Sequence, residues 1–181
     1  MKISQPDREL LPNETPTLEG LTDSGFKKIL VALDRQSEKT IFAKALKLAS
    51  QGESNLMIFH GISEQLLKTP DMVNTANPWA FDGFYPPDNF EYFEKVRQEA
   101  LNEVLSWLRS LCETATNLGI PTEFDYKMGD PGHVICNCAK NWGADLIIVG
   151  RRGRSGLSEI LLGSVSNYVL HHATCAVLVV Q

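Results

Sequence analysis

The chain has 181 residues, of which 43% are hydrophobic and 22% are charged, and its formal net charge at pH 7 is −5. This length and composition are typical of one globular domain with a substantial core. The acidic balance argues against a protein that coats nucleic acid or an anionic membrane, because both partners select a basic excess, and we expect neither as a partner.

Residues 1–25 are predicted to form a flexible N-terminal tail. They are polar, contain three prolines and show no sustained hydrophobic period. The stretch lacks the apolar core of a secretory signal, and no run in the chain approaches the roughly 18 apolar residues of a membrane span. We therefore expect a cytoplasmic protein whose folded domain covers residues 26–181.

The domain begins with a strand, a helix and a second strand. KKILVALD and NLMIFHGI are short apolar runs that favour strands buried on both faces. Between them, Ile41, Ala45 and Ala49 share one helical face, with Ser37 as the predicted N-cap and Gly52 as the stop signal. This βαβ unit predicts parallel pairing with a right-handed crossover.

The segment from about 63 to 89 interrupts this alternation. It contains four prolines with aromatic residues between them, and a connection of this length is uncommon inside a compact domain. We predict an insertion that packs over the edge of the domain. A ligand lid and an oligomer contact are the alternatives.

The rest of the chain returns to alternating helices and strands. A long helix ends near Gly119, and one face of it is predicted to carry an apolar stripe that packs on the core: Phe93, Val96, Ala100, Val104, Trp107, Leu108 and Leu111. PTEFDYKMG is predicted as a third strand near a sheet edge because of its proline and charges. A short helix capped by Asp130 follows, then the strand ADLIIVG, a helix at 163–173 and the strand CAVLVVQ. This order predicts a three-layer α/β domain with a mainly parallel sheet.

Ligands of such sheets bind beyond the carboxyl ends of the strands, where the strand order reverses. Asp34 and Gly150 end the first and fourth strands and are the natural candidates. The four cysteines are expected to be reduced, mostly buried thiols. Cys136 and Cys138 point to different faces of a helix and are poorly placed to share a metal ion.

The fourth strand leads into the spacing G-x2-G-x9-G-S, formed by Gly150, Gly153, Gly163 and Ser164. Glycine lets the backbone approach a ligand without a Cβ in the way. The helix that starts at residues 163–165 offers amide N–H groups and a dipole that favour an anion such as a phosphate. The alternative is a glycine-rich turn that merely starts a helix.

Three arginines surround these glycines. Arg151, Arg152 and Arg154 place positive charge on the loop of an otherwise acidic protein. We interpret them as favourable for holding a polyphosphate. The alternative is that they are solvated surface residues.

Three segments together carry a resemblance to a known family. GADLIIVGRRGRSGLSEILLGSVSNYVLHHATCAVLVV, KKILVALDRQSE and NLMIFHGI resemble the nucleotide-binding branch of the universal stress protein family, over residues 27–181 with one insertion. The resemblance implies the flavodoxin-like strand order 3-2-1-4-5 of the adenine nucleotide alpha hydrolase-like fold. It also implies a pocket for ATP, ADP or AMP across strands 1 and 4.

The resemblance assigns roles position by position. Ala32 and Asp34 match residues that line adenine and ribose, and Val149 and Gly150 match the strand end beside the nucleoside. The phosphate-facing backbone corresponds to Gly153, Gly163, Ser164 and Val165. Gly61 stands where the family usually carries an aliphatic residue that packs on adenine. Ile62 or an aromatic residue of the insertion would have to make this contact instead.

The family resemblance implies a regulatory homodimer joined through the C-terminal strand, with a further protein partner of unknown identity. An apolar final strand would leave an unmet sheet edge in a monomer. Asp34 is a candidate Mg²⁺ contact. The alternatives are a slow ATPase and a nucleotide-independent dimeric stress protein. A dedicated enzyme is not expected, because the chain has no Walker lysine and no evident catalytic base beside the phosphates.

Overall fold

The computed structural model describes residues 25–63, 87–151 and 162–181. Within these ranges strands and helices alternate: β1 (Lys28–Ala32), α1 (Glu38–Gly52), β2 (Asn55–Ile62), α2 (Pro87–Asn117), β3 (Thr122–Met128), α3 (Pro131–Trp142), β4 (Leu146–Gly150), α4 (Ser164–His172) and β5 (Ala176–Val180). The predicted N-terminal tail and most of the predicted insertion lie outside the described residues.

The five strands form one parallel sheet in the order β3-β2-β1-β4-β5. This confirms the α/β prediction and the flavodoxin-like order. The chain builds outward from β1 to β3 and then continues on the other side of β1 with β4. The strand order therefore reverses between β1 and β4, where Val31 is paired with Ile148.

Two apolar layers cover the two faces of the sheet. Because side chains alternate along a strand, Ile29 and Val31 face the layer beneath α1 and α2, while Leu30 faces the layer beneath α3 and α4. All three side chains are completely buried. This burial on both faces explains why β1 reads as a continuous apolar run rather than an alternating one.

The predicted helix ends are confirmed in position and corrected in detail. Ser37 is the N-cap residue of α1, but its side chain makes no capping hydrogen bond. Gly52 is the last residue of α1, and Glu53 takes the left-handed conformation at φ 51°. Asp130 caps α3 as predicted, accepting a hydrogen bond from the amide N–H of His133 at 3.0 Å.

The apolar stripe predicted on the long helix is confirmed only in part. Leu108 and Leu111 are buried in the layer beneath α1 and α2, and Val104 and Trp107 are half-buried against it. Ala100, which the same stripe included, is exposed. Among the residues whose side chains are described, only the C-terminal half of α2 is buried in the core.

The two edge strands differ in character. β3 carries Glu123, Asp125 and Lys127 and follows Pro121, which confirms its predicted edge position. β5 has the uncharged sequence AVLVV, with Ala176 exposed and Leu178 36% exposed. Charges and proline protect a sheet edge from pairing with another chain, and β5 lacks both.

The four cysteines are free thiols, as predicted, and all four are half-buried where mostly buried thiols were expected. Burial raises the pKa of Cys136 and Cys175, and it raises the pKa of Cys138 to about 11, with the Asp125 carboxylate adding to the effect. These three thiols are therefore protonated at neutral pH.

Two features are absent from the described residues. No group of three or more His, Cys, Asp or Glu side chains in these ranges is arranged to hold a metal ion. None of the helices within the same ranges is both long and apolar enough to span a membrane.

Candidate functional site

The carboxyl ends of β1 and β4 lie side by side at the point where the strand order reverses. The pairing of Val31 with Ile148 places the next residues, Ala32 and Val149, together at this edge of the sheet. The turn that begins at Asp34 follows β1 directly. The two strand ends that were predicted from the sequence as site candidates therefore lie together, at the position where open α/β sheets bind ligands.

Asp34 uses one carboxylate oxygen to organise the start of α1. Its Oδ1 accepts hydrogen bonds from the amide of Gln36 at 2.9 Å, and from the amide and hydroxyl of Ser37, both at 2.8 Å. Among the described residues, no donor contacts the other oxygen, Oδ2. Asp34 therefore holds the turn that leads into α1, and it keeps one oxygen for a further partner.

Gly150 is in close contact with α1. A Cβ atom placed on it would lie 2.6 Å from Cδ1 of Ile41 and 3.6 Å from Oγ of Ser37. Gly150 is not among the described glycines with positive φ. Its lack of a side chain is thus used for helix packing, a role that the sequence interpretation, centred on ligand approach, did not include.

Three predicted apolar site residues face the side of the sheet that lies opposite α1. Val149 is 2% exposed and packs with the residues beneath α3 and α4, so that only its backbone reaches the edge of the sheet. Ala32 and Val165 are half-buried against the same layer. The two half-buried side chains are the apolar groups available to a flat ligand here.

Gly61 has its open side turned towards α3. A Cβ atom on Gly61 would lie 3.0 Å from Cα of Pro131 and 3.2 Å from Cγ2 of Val134. The first turn of α3 therefore occupies the space that an aliphatic side chain would need. Ile62 is buried and, by strand alternation, points to the other face of the sheet, so Ile62 does not replace it.

The N-terminus of α4 has no side-chain cap. Gly163 is the N-cap residue, with φ −63° and ψ 154°, and its carbonyl accepts the amide N–H of Asn167 at 2.9 Å. Ser164 is the first residue of α4, and its side chain is exposed. A helix start leaves its first amides without partners inside the helix, and these amides attract anions.

The backbone of Arg151 joins this helix start to β4 and β5. Its amide donates to the carbonyl of Val180 at 2.7 Å, and its carbonyl accepts the amide of Gly163 at 2.7 Å. Ser166, only 2% exposed, donates its hydroxyl to the carbonyls of Arg151 at 2.9 Å and Gly163 at 3.0 Å. Sequence reasoning missed Ser166, for which a polar residue on the buried face of a short helix was the available signal.

Three predicted phosphate-loop residues, Arg152, Gly153 and Arg154, lie outside the described residues. Two described residues on either side of this stretch, Arg151 and Gly163, are held together by the hydrogen bonds above.

The chain is similar to proteins of a known family over most of its length. The model of the universal stress protein family matches residues 25–181. Universal stress protein Sll1388 of Synechocystis is 38% identical over 161 residues, covering 87% of this chain and 99% of its own length. Universal stress protein YxiE of Bacillus subtilis is 37% identical over 158 residues, covering 86% and 99%.

Solved structures share the fold. Protein MJ0577 superimposes with a TM-score of 0.68 at 22% identity, covering 86% of this chain and 96% of its own. A universal stress protein in complex with cAMP gives a TM-score of 0.55 at 22% identity, covering 87% and 98%. An Arabidopsis thaliana universal stress protein family member with AMP bound gives 0.54 at 22%, covering 85% and 90%.

Proposed function

The chain belongs to the universal stress protein family, and from this premise we propose that it binds an adenine nucleotide, ATP or AMP, as a regulatory homodimer in a stress response. In this proposal the nucleotide lies across the carboxyl ends of β1 and β4. Its phosphates meet the N-terminus of α4, and its nucleoside lies near Asp34.

One observation carries the proposal: among the helix N-termini described at this edge of the sheet, α4 alone has no acidic side chain on it. α1 begins with the acidic residue Glu38, and Asp130 places a carboxylate oxygen on the amide of His133 in the first turn of α3. α4 begins at Gly163 without a side-chain cap and has no acidic residue in its first turn. A phosphate would supply α4 with the negative charge and the acceptor atoms that Asp130 supplies to α3.

The nucleoside end is supported by polar and apolar groups. Oδ2 of Asp34 is available to accept a ribose hydroxyl, while Oδ1 keeps the carboxylate in place. Ala32 and Val165 offer half-buried apolar surface to an adenine ring. Family members of this fold have been solved with cAMP and with AMP bound, which supports an adenosine phosphate as the ligand class.

The same Oδ2 atom makes Asp34 the candidate Mg²⁺ contact. Magnesium is bound in proteins by one or two carboxylates together with water and substrate phosphates, so a single protein oxygen is sufficient when the nucleotide supplies the others. Arg151, Arg152 and Arg154 would add positive charge on the phosphate side. The metal would neutralise phosphate charge that these arginines leave unbalanced.

The homodimer proposal rests on the contrast between the sheet edges. β5 is an uncharged edge strand with Ala176 and Leu178 exposed, and pairing two β5 strands across a two-fold axis would remove the open edge. We expect Leu178→Arg to give monomers in sedimentation velocity. Met128→Arg is the matched control, because Met128 is 44% exposed at the opposite edge and its replacement should leave the dimer intact.

The nucleotide proposal is tested on the full-length protein. Purified protein is denatured, and the released small molecules are identified by mass spectrometry. Titration calorimetry then measures binding of ATP, AMP and adenosine to protein from which nucleotide has been removed. Binding of none of the three would overturn the proposal and favour a nucleotide-independent stress protein. Steady phosphate release from bound ATP would identify the slow ATPase.

A further inference from the structure

Trp107 of α2 connects that helix to the turn that carries Asp34. Its indole N–H donates to Oε2 of Glu38 at 2.7 Å. The guanidinium carbon of Arg35 lies 5.6 Å from the centroid of its ring. The ring of His60 meets it edge-on, with 5.2 Å between the centroids and 89° between the planes. We call these four residues the Trp107 cluster.

The partners of Trp107 surround Asp34 along the chain. Arg35 is the next residue, and its Nη2 also donates to the carbonyl of Glu103 in α2 at 3.0 Å. Glu38 is the first residue of α1. His60, 9% exposed, donates through Nδ1 to the carbonyl of Leu33, the residue before Asp34, at 2.7 Å. Both sides of the Asp34 turn are thus held by side chains from β2 and α2.

This support matters for binding because Asp34 has two tasks. Oδ1 is fixed by the start of α1, so the direction of Oδ2 depends on the orientation of the whole turn. A ligand binds more tightly to a group that is already held in the required orientation, because less conformational freedom is lost on binding. Glu38 and Arg35 set that orientation, and Trp107 contacts both.

We propose that Trp107 is a positioning residue for the nucleoside end of the site: through Glu38, Arg35 and His60, it holds the turn that directs Oδ2 of Asp34 towards the ribose. This inference rests on the proposed nucleotide function. It assigns to α2, which carries none of the residues of the glycine motif, a specific part in nucleoside affinity.

The chain provides a matched control in Trp142. The indole N–H of Trp142 also donates to a glutamate, Oε1 of Glu123, at 2.6 Å. Trp142 ends α3, and its carbonyl accepts Nζ of Lys28 at the start of β1 at 2.8 Å. It therefore lies at the amino edge of the sheet, opposite the candidate site. Trp142→Phe removes the same kind of hydrogen bond without touching the Asp34 turn.

The test measures affinities of the folded variants by calorimetry. Trp107→Phe keeps an aromatic ring and loses the indole N–H, and we expect about tenfold weaker binding of both adenosine and ATP, as for a lost hydrogen bond to a charged group. The ratio of the two affinities should stay at its wild-type value, because the phosphate end is unchanged. Trp142→Phe should bind both ligands as the wild type does.

Glu38 variants separate positioning from a general effect on the fold. Glu38→Ala should weaken adenosine binding about as much as Trp107→Phe, and the double variant should be no weaker than either single one, because both remove the same bond. Glu38→Gln keeps an oxygen acceptor for the indole and should restore most of the affinity. Urea unfolding of each variant confirms that folded protein is being titrated. If Trp107→Phe does not fold, the Glu38 pair carries the test.

Wild-type affinity for adenosine in Glu38→Ala would overturn the positioning role, as would an equal loss in Trp142→Phe. These outcomes leave the nucleotide proposal intact, since the wild-type protein still binds. Failure of the wild-type protein to bind adenosine and ATP would instead overturn the nucleotide function, and the positioning role with it.

Discussion

The N-termini of α1 and α3 differ from that of α4 in the acidic side chains that the chain places at them. α1 begins with Glu38 and follows the turn that Asp34 holds, and α3 is capped by Asp130. α4 begins at Gly163, which has no side chain to offer. All three helices follow strands of one parallel sheet and begin at its carboxyl edge. The fold thus provides its own acid at two of these positions and leaves the third without one.

The conformation of Gly163 shows what this difference means. Its φ of −63° and ψ of 154° are open to every residue type except where a side chain would collide. Glycine is therefore not required at this N-cap by backbone geometry, and serine or aspartate would stabilise the helix slightly more. What glycine provides is access to the amides, which is useful when the acceptor comes from a ligand.

Giving α4 an aspartate N-cap like that of α3 is expected to have the largest effect. Gly163→Asp places a carboxylate on the amides that the proposed phosphate would use. Loss of two hydrogen bonds to a charged group, at about 1.5–3 kcal/mol each, corresponds to at least ~100-fold weaker ATP binding in calorimetry. Adenosine affinity should be nearly unchanged, because adenosine has no phosphate.

Gly163→Asn is the control for this substitution, because it provides a cap of similar shape without the charge. We expect it to weaken ATP binding less than Gly163→Asp does. Urea unfolding should show both variants at least as stable as the wild type. ATP affinity that stays unchanged in a folded Gly163→Asp protein would contradict the open N-terminus as the phosphate site.

The second largest effect is expected at Asp34, where one side chain both holds the turn before α1 and would bind the ligand. Asp34→Ala should lower the free energy of unfolding by about 1–2 kcal/mol, because the turn loses the hydrogen bonds from Gln36 and Ser37. Asp34→Asn keeps an oxygen for the amides of Gln36 and Ser37 and should retain most of that stability. Both variants should bind adenosine about tenfold more weakly, because both lose the Oδ2 acceptor.

Chemical denaturation and calorimetry together separate the two roles of Asp34. If Asp34→Asn bound adenosine as the wild type does, the carboxylate would serve only to hold the turn before α1. The nucleoside end would then have to be placed elsewhere.

A smaller effect is expected at Asp130, which caps α3 without a ligand role. Asp130→Ala should lower the free energy of unfolding by about 1 kcal/mol, as is typical for a lost N-cap. ATP affinity should stay at the wild-type value, in contrast to the Asp34 variants. A fall in ATP affinity of the same size as in Asp34→Ala would show that α3 contributes to the site.

The smallest effect is expected at Ser166, whose hydroxyl bonds two carbonyls and uses none of the open amides of α4. Ser166→Ala should cost about 0.5–1.5 kcal/mol in urea unfolding. Ser50→Ala is the control, since Ser50 makes a similar bond to the carbonyl of Lys47 on an exposed face, and its loss should be close to neutral. Equal costs for the two variants would mean that the buried bond has no special role.

The fold was predictable from the sequence because its signals are local. Ile29, Leu30 and Val31 form an apolar run that predicts a strand buried on both faces, and Asp130-Pro131 is a helix start that can be read from two residues. The order of the strands came from the family resemblance rather than from periodicity. The apolar period of α2 predicted burial of Ala100 wrongly, because periodicity gives the face of a helix but not how far that face extends over the sheet.

The site was predictable only where a local motif marks it. The glycine spacing led to the N-terminus of α4, and the end of β1 led to Asp34. Contacts between distant parts of the chain gave no comparable signal: Ile41 beside Gly150, Pro131 beside Gly61 and Glu38 beside Trp107. Each contact depends on how two elements pack against each other, and the sequence of either element alone does not predict that packing.

The hydrogen bond between Arg151 and Gly163 has a consequence for how the length of the segment between them can change. The amide of Gly163 lies 2.7 Å from the carbonyl oxygen of Arg151, so a ligand does not have to bring these two residues together. Where two ends of a segment are already held together, extra residues between them cost little, since doubling the length of a flexible loop adds only about 0.6 kcal/mol. The stability of the fold alone would therefore allow the length of this segment to vary. A requirement for nine residues between Gly153 and Gly163 would therefore have to come from ligand binding.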